Sequence, residues 1–198
     1  EFTVEAGRPD TITEDKLLVI RESGAGRISI NPQSMKQKTL DLIGRSHTPQ
    51  QIKEAFRKAK AARIPIINAD LIAGLPEESP ADFADTLSQI IALAPENVTV
   101  HTLAVKRASK LIEYDSDYHY RQGETVREML STAAELLSQA GYRPYYLYRQ
   151  KHMSGNFENV GYAKPGTESI YNIRIMEEDQ TIVAMGAGGI SKGYYPQE

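Results

Sequence analysis

Four polar residues end, follow or interrupt apolar runs of the sequence, and their side chains could together bind one ligand. Glu5 and Asp70 are carboxylates, Gln33 is an amide two residues after Asn31, and Arg45 is a guanidinium. A carboxylate can bind an ammonium group, an aspartate or glutamine can bind a diol, and an arginine can bind a carboxylate in a forked pair. This combination of groups suits an amino-acid nucleoside.

Each of these residues also has an ordinary structural interpretation. Glu5 could be an exposed strand end, Asp70 could cap a neighbouring helix, Gln33 could be a plain loop residue and Arg45 a solvated cation at a helix end. For a single residue the ordinary interpretation is favoured. A ligand site is favoured only if all four lie on one rim of one sheet, where parallel α/β folds bind their ligands.

The elements that must position these residues alternate between strand and helix. Thr48-Pro49 and Ser79-Pro80 are typical helix starts, with a side-chain cap followed by proline. Apolar and β-branched runs predict four strands, at residues 2–5, 27–30, 65–72 and 97–104, and helical spacing predicts helices at 13–23 and after residues 48 and 79. This order indicates βαβ units and a parallel sheet.

The pattern changes after the fourth strand. An amphipathic helix is predicted at 124–140, then strands at 144–148, 170–176 and 181–185, with a loop at 154–166. Four parallel strands are too few to close a barrel of eight. We therefore predict an α/β chain in which residues 1–121 form part of a barrel and residues 122–198 form a helix with an antiparallel-strand region.

Composition excludes several classes of function. The 23 basic and 26 acidic residues give a net charge of −3, which argues against nucleic-acid binding. No apolar run approaches the ~20 residues of a membrane span. The chain has no cysteine and its four histidines lack metal-ligand spacing, so no metal site is predicted within it. The absence of cysteine fits a cytoplasmic protein.

Several motifs of the chain resemble one known family. The segments TVEAGRP, INPQSM, INADLIAGLP and TVHTLA are similar to those of radical S-adenosylmethionine (SAM) enzymes of the oxygen-independent coproporphyrinogen III oxidase family, in its Firmicute-type coproporphyrinogen dehydrogenase branch. The segments YYLYRQKHMSGNFENVGYAKPG and GAGGISKG extend the resemblance through the C-terminal region. It implies a partial (β/α)6 barrel, and SAM with a [4Fe–4S] cluster as cofactors.

The resemblance implies roles for five residues. Glu5 would meet the SAM amino group, Gln33 and Asp70 would hold the ribose hydroxyls, and Arg45 would pair with the methionine carboxylate. Ile72 would pack near the adenine. The family's three-cysteine cluster motif lies upstream of the position of Glu5, and this chain lacks it. We therefore expect a C-terminal fragment that is inactive alone.

For the full-length protein, the resemblance implies oxidative decarboxylation of two propionates of coproporphyrinogen III to vinyl groups, giving protoporphyrinogen IX in haem biosynthesis. It also implies an electron-donor protein as a partner. Lys106, Arg107 and Arg149 are the predicted contacts for the carboxylates of this tetrapyrrole, although they could equally be surface cations. Two alternatives stay open: a haem-binding, chaperone-like relative, and a SAM-binding fragment without catalysis.

Overall fold

The fold is an open, six-stranded mixed sheet with a helix-covered hydrophobic core on one side. A computed structural model describes residues 1–103, 123–148 and 157–196. In chain order the elements are β1 (Thr3–Gly7), a 3-10 helix (Pro9–Thr11), α1 (Glu14–Glu22), β2 (Arg27–Gln33), α2 (Gln37–Leu42), α3 (Pro49–Ala61), β3 (Ile66–Ala73), α4 (Pro80–Ala92), β4 (Asn97–Thr102), α5 (Gly123–Gln139), β5 (Arg143–Tyr148), β6 (Asn159–Ala163) and α6 (Ile170–Glu177). The strand order is β1-β2-β3-β4-β6-β5, with β1 to β4 parallel.

The helix starts predicted from the sequence are confirmed in detail. The Thr48 side chain accepts a hydrogen bond from the backbone N–H of Gln51, and the Gln51 side chain accepts one from the N–H of Thr48. Ser79 and Asp82 make the same reciprocal pair at α4. Such capping boxes satisfy N–H groups that the first turn of a helix leaves unpaired. They fix where α3 and α4 begin, and therefore where the loops after β2 and β3 end.

Alternating burial along β3 divides the sheet into two sides. Ile67, Ala69, Leu71 and Ala73 are at most 1% exposed and face the helices, whereas Asn68 and Asp70 lie on the opposite, partly exposed side. We call these the helix side and the polar side. The helix side carries one continuous hydrophobic core, to which α3, α4 and α5 contribute Ile52, Phe56, Phe83, Leu87, Met129 and Leu137.

The C-terminal residues extend the same sheet. Strand β6 pairs antiparallel with β4, and β5 pairs antiparallel with β6 at the sheet edge. Tyr142 and Tyr162 belong to the same hydrophobic core as the first four strands. The predicted α/β class and the antiparallel character of this region are confirmed. The predicted boundary between residues 121 and 122 lies outside the described residues and stays a prediction.

Three predictions about local structure are wrong. Residues 170–176 form helix α6 and not a strand, because the Ser169 side chain caps the helix by accepting from the N–H of Asn172. Residues 181–185 form only an isolated bridge, between Ile182 and Lys192. The predicted loop at 154–166 contains strand β6, whose glycine-containing sequence NVGYA has a weak strand pattern.

Two further elements extend or add to the predicted set. Strand β2 continues through Pro32 to Gln33, past its predicted end at residue 30, and α2 forms where no element was predicted. No helix among the described residues is long and apolar enough to cross a membrane.

Candidate functional site

The strand register aligns polar side chains across neighbouring strands on the polar side of the sheet. Glu5 on β1 lies opposite Ser29 on β2, which lies opposite Asn68 on β3. One step further along, Asp70 lies opposite Thr99 on β4. Residues paired in register point to the same side of a sheet. The alignment therefore places two of the predicted carboxylates on one surface.

Asp70 is held by a hydrogen-bonded network. The Asn68 Nδ2 donates to Asp70 Oδ1 at 2.7 Å and to Ser29 Oγ at 2.8 Å, and Ser29 Oγ donates to Asp70 Oδ2 at 3.3 Å. Thr99 Oγ1 donates to Asn68 Oδ1 at 3.1 Å and fixes the orientation of the amide. The Asp70 side chain is only 16% exposed. Partners on two strands therefore compensate for the partial desolvation of this carboxylate.

Glu5 and His101 lie near this carboxylate. Reduced hydration raises the pKa of Glu5, the negative charge of Asp70 raises it further, and a hydrogen bond with Ser29 together with the charge of His101 opposes these effects. The His101 Nε2 lies 3.7 Å from Asp70 Oδ1, at the open rim of the sheet.

Gln33 ends β2 in an unusual backbone conformation. Its φ is 68°, in the left-handed region, and the strand register shifts between Ile30 and Gln33, so that Gln33 pairs with Leu71. The residue is 6% exposed. Its Oε1 and the Oδ1 of Asn31 are buried without a hydrogen-bond partner among the described residues. Buried amide oxygens left in this state are uncommon, and they can accept hydrogen bonds from a ligand.

Arg45 and Ile72 complete the predicted set. Arg45 is half-buried in the loop after α2. Burial lowers the pKa of His47, and the charge of Arg45 adds a smaller effect in the same direction. The His47 Nε2 bonds the carbonyl of Pro32, the neighbour of Gln33. Ile72 lies two residues beyond Asp70 on the same side of β3, opposite His101. All five predicted residues therefore lie on β1, β2, β3 and the loop that follows α2.

The structure adds site residues that sequence reasoning missed. Ser29, Asn68 and Thr99 hold Asp70 in place. The available signal was that each of them alternates with apolar residues along its strand, as Asp70 does, which places them on the same side of the sheet. Tyr146 on β5 crosses Gly161 on β6 and bonds Thr99; a Cβ at position 161 would lie 1.8 Å from its ring. The sequence analysis missed this contact because it missed strand β6. Gly161 on β6 pairs with Tyr146 on one side and with Thr99 on the other, and so brings the two side chains together.

The predicted substrate contacts Lys106, Arg107 and Arg149 lie outside the described residues.

The sequence of this chain is similar to those of several known proteins. The model of the radical SAM superfamily matches residues 1–90. The oxygen-independent coproporphyrinogen-III oxidase-like protein HemZ of Bacillus subtilis is 50% identical over 192 residues, which are 97% of this chain and 38% of that protein. The heme chaperone HemW of Escherichia coli is 28% identical over 99% of this chain and 48% of its own length. The chain thus spans less than half of these relatives.

A solved structure supports the fold. The coproporphyrinogen III oxidase HemN of Escherichia coli, described as a radical SAM enzyme, superposes with a TM-score of 0.69 and 21% identity, over 96% of this chain and 44% of that one. The prediction of part of a radical SAM barrel is therefore confirmed. Residues 1–90 thus match the radical SAM superfamily, and nearly the whole chain is similar to an oxygen-independent coproporphyrinogen-III oxidase-like relative.

Proposed function

We propose that this chain forms the SAM-contacting part of an oxygen-independent coproporphyrinogen III dehydrogenase. The reaction is oxidative decarboxylation of two propionate side chains to vinyl groups, which gives protoporphyrinogen IX. The observation that carries the proposal is the buried, unpaired amide oxygen of Gln33, in a chain whose first 90 residues match the radical SAM superfamily. Identity of 50% to a coproporphyrinogen-III oxidase-like protein supports the choice of substrate.

The five predicted residues fit SAM. Gln33 offers its unpaired Oε1 to a ribose hydroxyl, and Asp70, held in place by Asn68, offers its carboxylate to the other. Glu5 accepts from the amino group of the methionine moiety, and Arg45 pairs with its carboxylate. Ile72, two residues after Asp70 on the same side of β3, packs against the adenine. These five residues bind and orient the cofactor, while the network around Asp70 keeps one acceptor fixed before the ligand arrives.

The residues present do not fit the [4Fe–4S] cluster, because the chain contains no cysteine. We propose that cysteines outside these 198 residues ligate it. When bound together, SAM and the cluster supply one-electron hydrogen-abstraction chemistry. The chain's own residues bind SAM and limit the access of water to it. An electron-donor protein is a proposed partner of the complete protein.

The tetrapyrrole substrate carries four propionates, so cations near the site are expected to bind it. Lys106, Arg107 and Arg149 keep this proposed role. Replacing the three together with glutamine would raise the KM for coproporphyrinogen III without changing SAM affinity. An unchanged KM would remove them from the substrate site.

The deciding experiment uses the complete protein that carries this chain, reconstituted with its cluster and kept free of oxygen. Coproporphyrinogen III, SAM and a reductant are added, and the products are separated by liquid chromatography after oxidation to porphyrins. Formation of protoporphyrin together with methionine supports the proposal. SAM cleavage without loss of carbon dioxide from the tetrapyrrole would exclude this substrate, and the absence of SAM binding would exclude the whole proposal.

The second candidate function is haem binding by a chaperone-like protein. The observation that favours it is the 28% identity to the heme chaperone HemW over 99% of this chain. Titration of the complete protein with haem, followed by its absorption band, separates the two. Haem binding without decarboxylation of coproporphyrinogen III would favour the chaperone-like role. A third possibility, SAM binding without catalysis, would give SAM affinity with neither haem binding nor turnover.

A further inference from the structure

Gln33 keeps a side chain where the backbone favours glycine. In the left-handed region a residue with a Cβ is strained relative to the right-handed region. Gln33 has φ 68° at the end of β2 and is almost fully buried. Residues in this condition persist only where their surroundings hold them, and they concentrate at functional sites. The question is therefore what holds Gln33.

On its N-terminal side, the carbonyl of Pro32 is held by a buried histidine. The His47 Nε2 lies 3.1 Å from the Pro32 oxygen, and His47 has no exposed surface. A carbonyl can only accept, so this nitrogen carries the proton. The His47 Nδ1 faces Asp10 Oδ1 at 3.8 Å, and Asp10 Oδ2 in turn accepts from Ser46 Oγ at 3.3 Å. The ring is thus held through its Nε2, while Nδ1 is buried without a hydrogen-bond partner among the described residues.

On its C-terminal side, the hydroxyl of Ser34 is held by a buried carboxyl group. Ser34 donates to Glu78, and both residues are at most 6% exposed. Ser34 Oγ also accepts from the N–H of Lys36 at 3.1 Å, and the N–H of Met35 donates to Thr86 Oγ1 at 3.1 Å. Glu78 lies in the loop after β3 and Thr86 in α4. The segment after Gln33 is therefore fastened to the loop and helix that follow the neighbouring strand.

The two contacts act on the residues immediately before and after the strained one. We infer that His47 and Glu78 are positioning residues that hold Gln33 in its left-handed conformation and thereby keep its amide oxygen aimed at the ligand. They do not touch the ligand themselves. This inference rests on the proposed SAM site, but its first consequence, the rigidity of the Gln33 segment, can be measured without SAM.

The first experiment measures hydrogen exchange in the complete protein, in a peptide covering residues 30–36. His47→Leu removes the donor to Pro32 and is expected to speed exchange of these amides by about tenfold, since the segment opens more often. His47→Gln supplies an N–H donor of similar reach and is expected to restore the slow exchange. Glu78→Leu and Glu78→Gln should behave in the same way, because glutamine keeps an oxygen that accepts from Ser34.

Tyr142→Phe is the matched control. It also removes a buried hydrogen bond to a proline carbonyl, from Tyr142 Oη to Pro95 O at 2.5 Å, but before β4 at the opposite end of the strands. It is expected to leave exchange at residues 30–36 unchanged. If His47→Leu exchanges like the wild type, or if His47→Gln exchanges as fast as His47→Leu, the inference is overturned.

The second experiment is a double-mutant cycle on SAM affinity, measured by calorimetry. His47→Leu is expected to weaken SAM binding about tenfold in the wild-type background and less than about twofold in the Gln33→Ala background, because its effect passes through Gln33. Equal effects in both backgrounds would overturn the positioning role while leaving SAM binding intact. If the wild type does not bind SAM, the proposed function fails and the exchange experiment alone decides this inference.

Discussion

The two sides of strand β3 differ in what their residues contribute. On the helix side Ile67, Ala69, Leu71 and Ala73 are sealed in the hydrophobic core. On the polar side Asn68 and Asp70 form hydrogen bonds with one another and with residues on neighbouring strands, and Ile72 is half-buried. One strand of eight residues thus stabilises the fold with its odd-numbered positions and presents the polar side chains of Asn68 and Asp70 on its other side.

This difference teaches how a carboxylate can lie in a sheet. An unpaired Asp70 would be costly at its low exposure, and Asn68, Ser29 and Thr99 on three adjacent strands supply or fix its donors. The apolar side has no such requirement, because burial alone stabilises it. Substitutions on the helix side should therefore change stability, and those on the polar side should change ligand binding. The predictions below test this separation, beginning with the largest effect.

Ile67→Ala tests the helix side. Ile67 is 1% exposed, so the change should lower the free energy of unfolding by about 2–5 kcal/mol through lost burial and the cavity left behind. Urea denaturation of the complete protein measures this loss. SAM affinity, measured under conditions where the variant is folded, should stay within twofold of the wild type. A large loss of affinity in the folded variant would break the separation between the two sides.

Arg45→Ala tests the ligand side. Removing a charged partner of the methionine carboxylate should weaken SAM binding by about 1.5–3 kcal/mol, the range for a hydrogen bond to a charged group. Calorimetry on the complete, reconstituted protein measures the change. Arg57→Ala is the control, because Arg57 is an exposed cation on α3 that pairs only within its own helix. Equal affinities for the Arg45 and Arg57 variants would remove Arg45 from the site.

Local rules allowed much of this separation to be predicted from the sequence. The helix starts Thr48-Pro49 and Ser79-Pro80 and the apolar runs between the helices predicted the parallel half of the sheet, with Glu5 and Asp70 on its strands. The proposed roles of His47 and Glu78 could not be predicted, since they depend on contacts between residues that lie 15 and 44 positions apart in the chain. Strand β6 was missed because its pairing with β4 and β5 stabilises a weak strand pattern.

Tyr146→Phe tests how far the polar side extends into the C-terminal strands. Loss of the hydrogen bond with Thr99 should lower the free energy of unfolding at neutral pH by about 0.5–1.5 kcal/mol. Burial raises the pKa of Tyr146 from 10.0 to about 12. Its neutral form is therefore favoured in the folded state, and this stabilisation is present below pH 10 and is lost as the pH rises to about 12.

Denaturation between these pH values should show a weaker decline for the phenylalanine variant than for the wild type. Part of the decline should remain, because burial also raises the pKa of Tyr142 to about 12. Identical slopes for the variant and the wild type would show that Tyr146 is not buried against the polar side.

Glu78→Gln gives the smallest expected effect and tests a buried carboxyl group that lacks the network of Asp70. Burial raises the pKa of Glu78 above its ordinary 4.5, and hydrogen bonds from the Ser34 and Thr39 hydroxyls only partly oppose this. A raised pKa means that the folded state favours the neutral acid. The corresponding stability is present below about pH 4.5 and is lost as the pH rises through the folded-state pKa.

Glutamine cannot ionise, so the variant should escape this loss and become more stable relative to the wild type as the pH rises to neutrality. Unfolding free energies of both proteins, measured across this pH range, give the difference directly. Parallel curves would mean that Glu78 is ionised at no cost in the folded protein. Its loop would then solvate or pair the charge as fully as the strands pair Asp70, and the comparison between a strand-borne and a loop-borne carboxylate would fail.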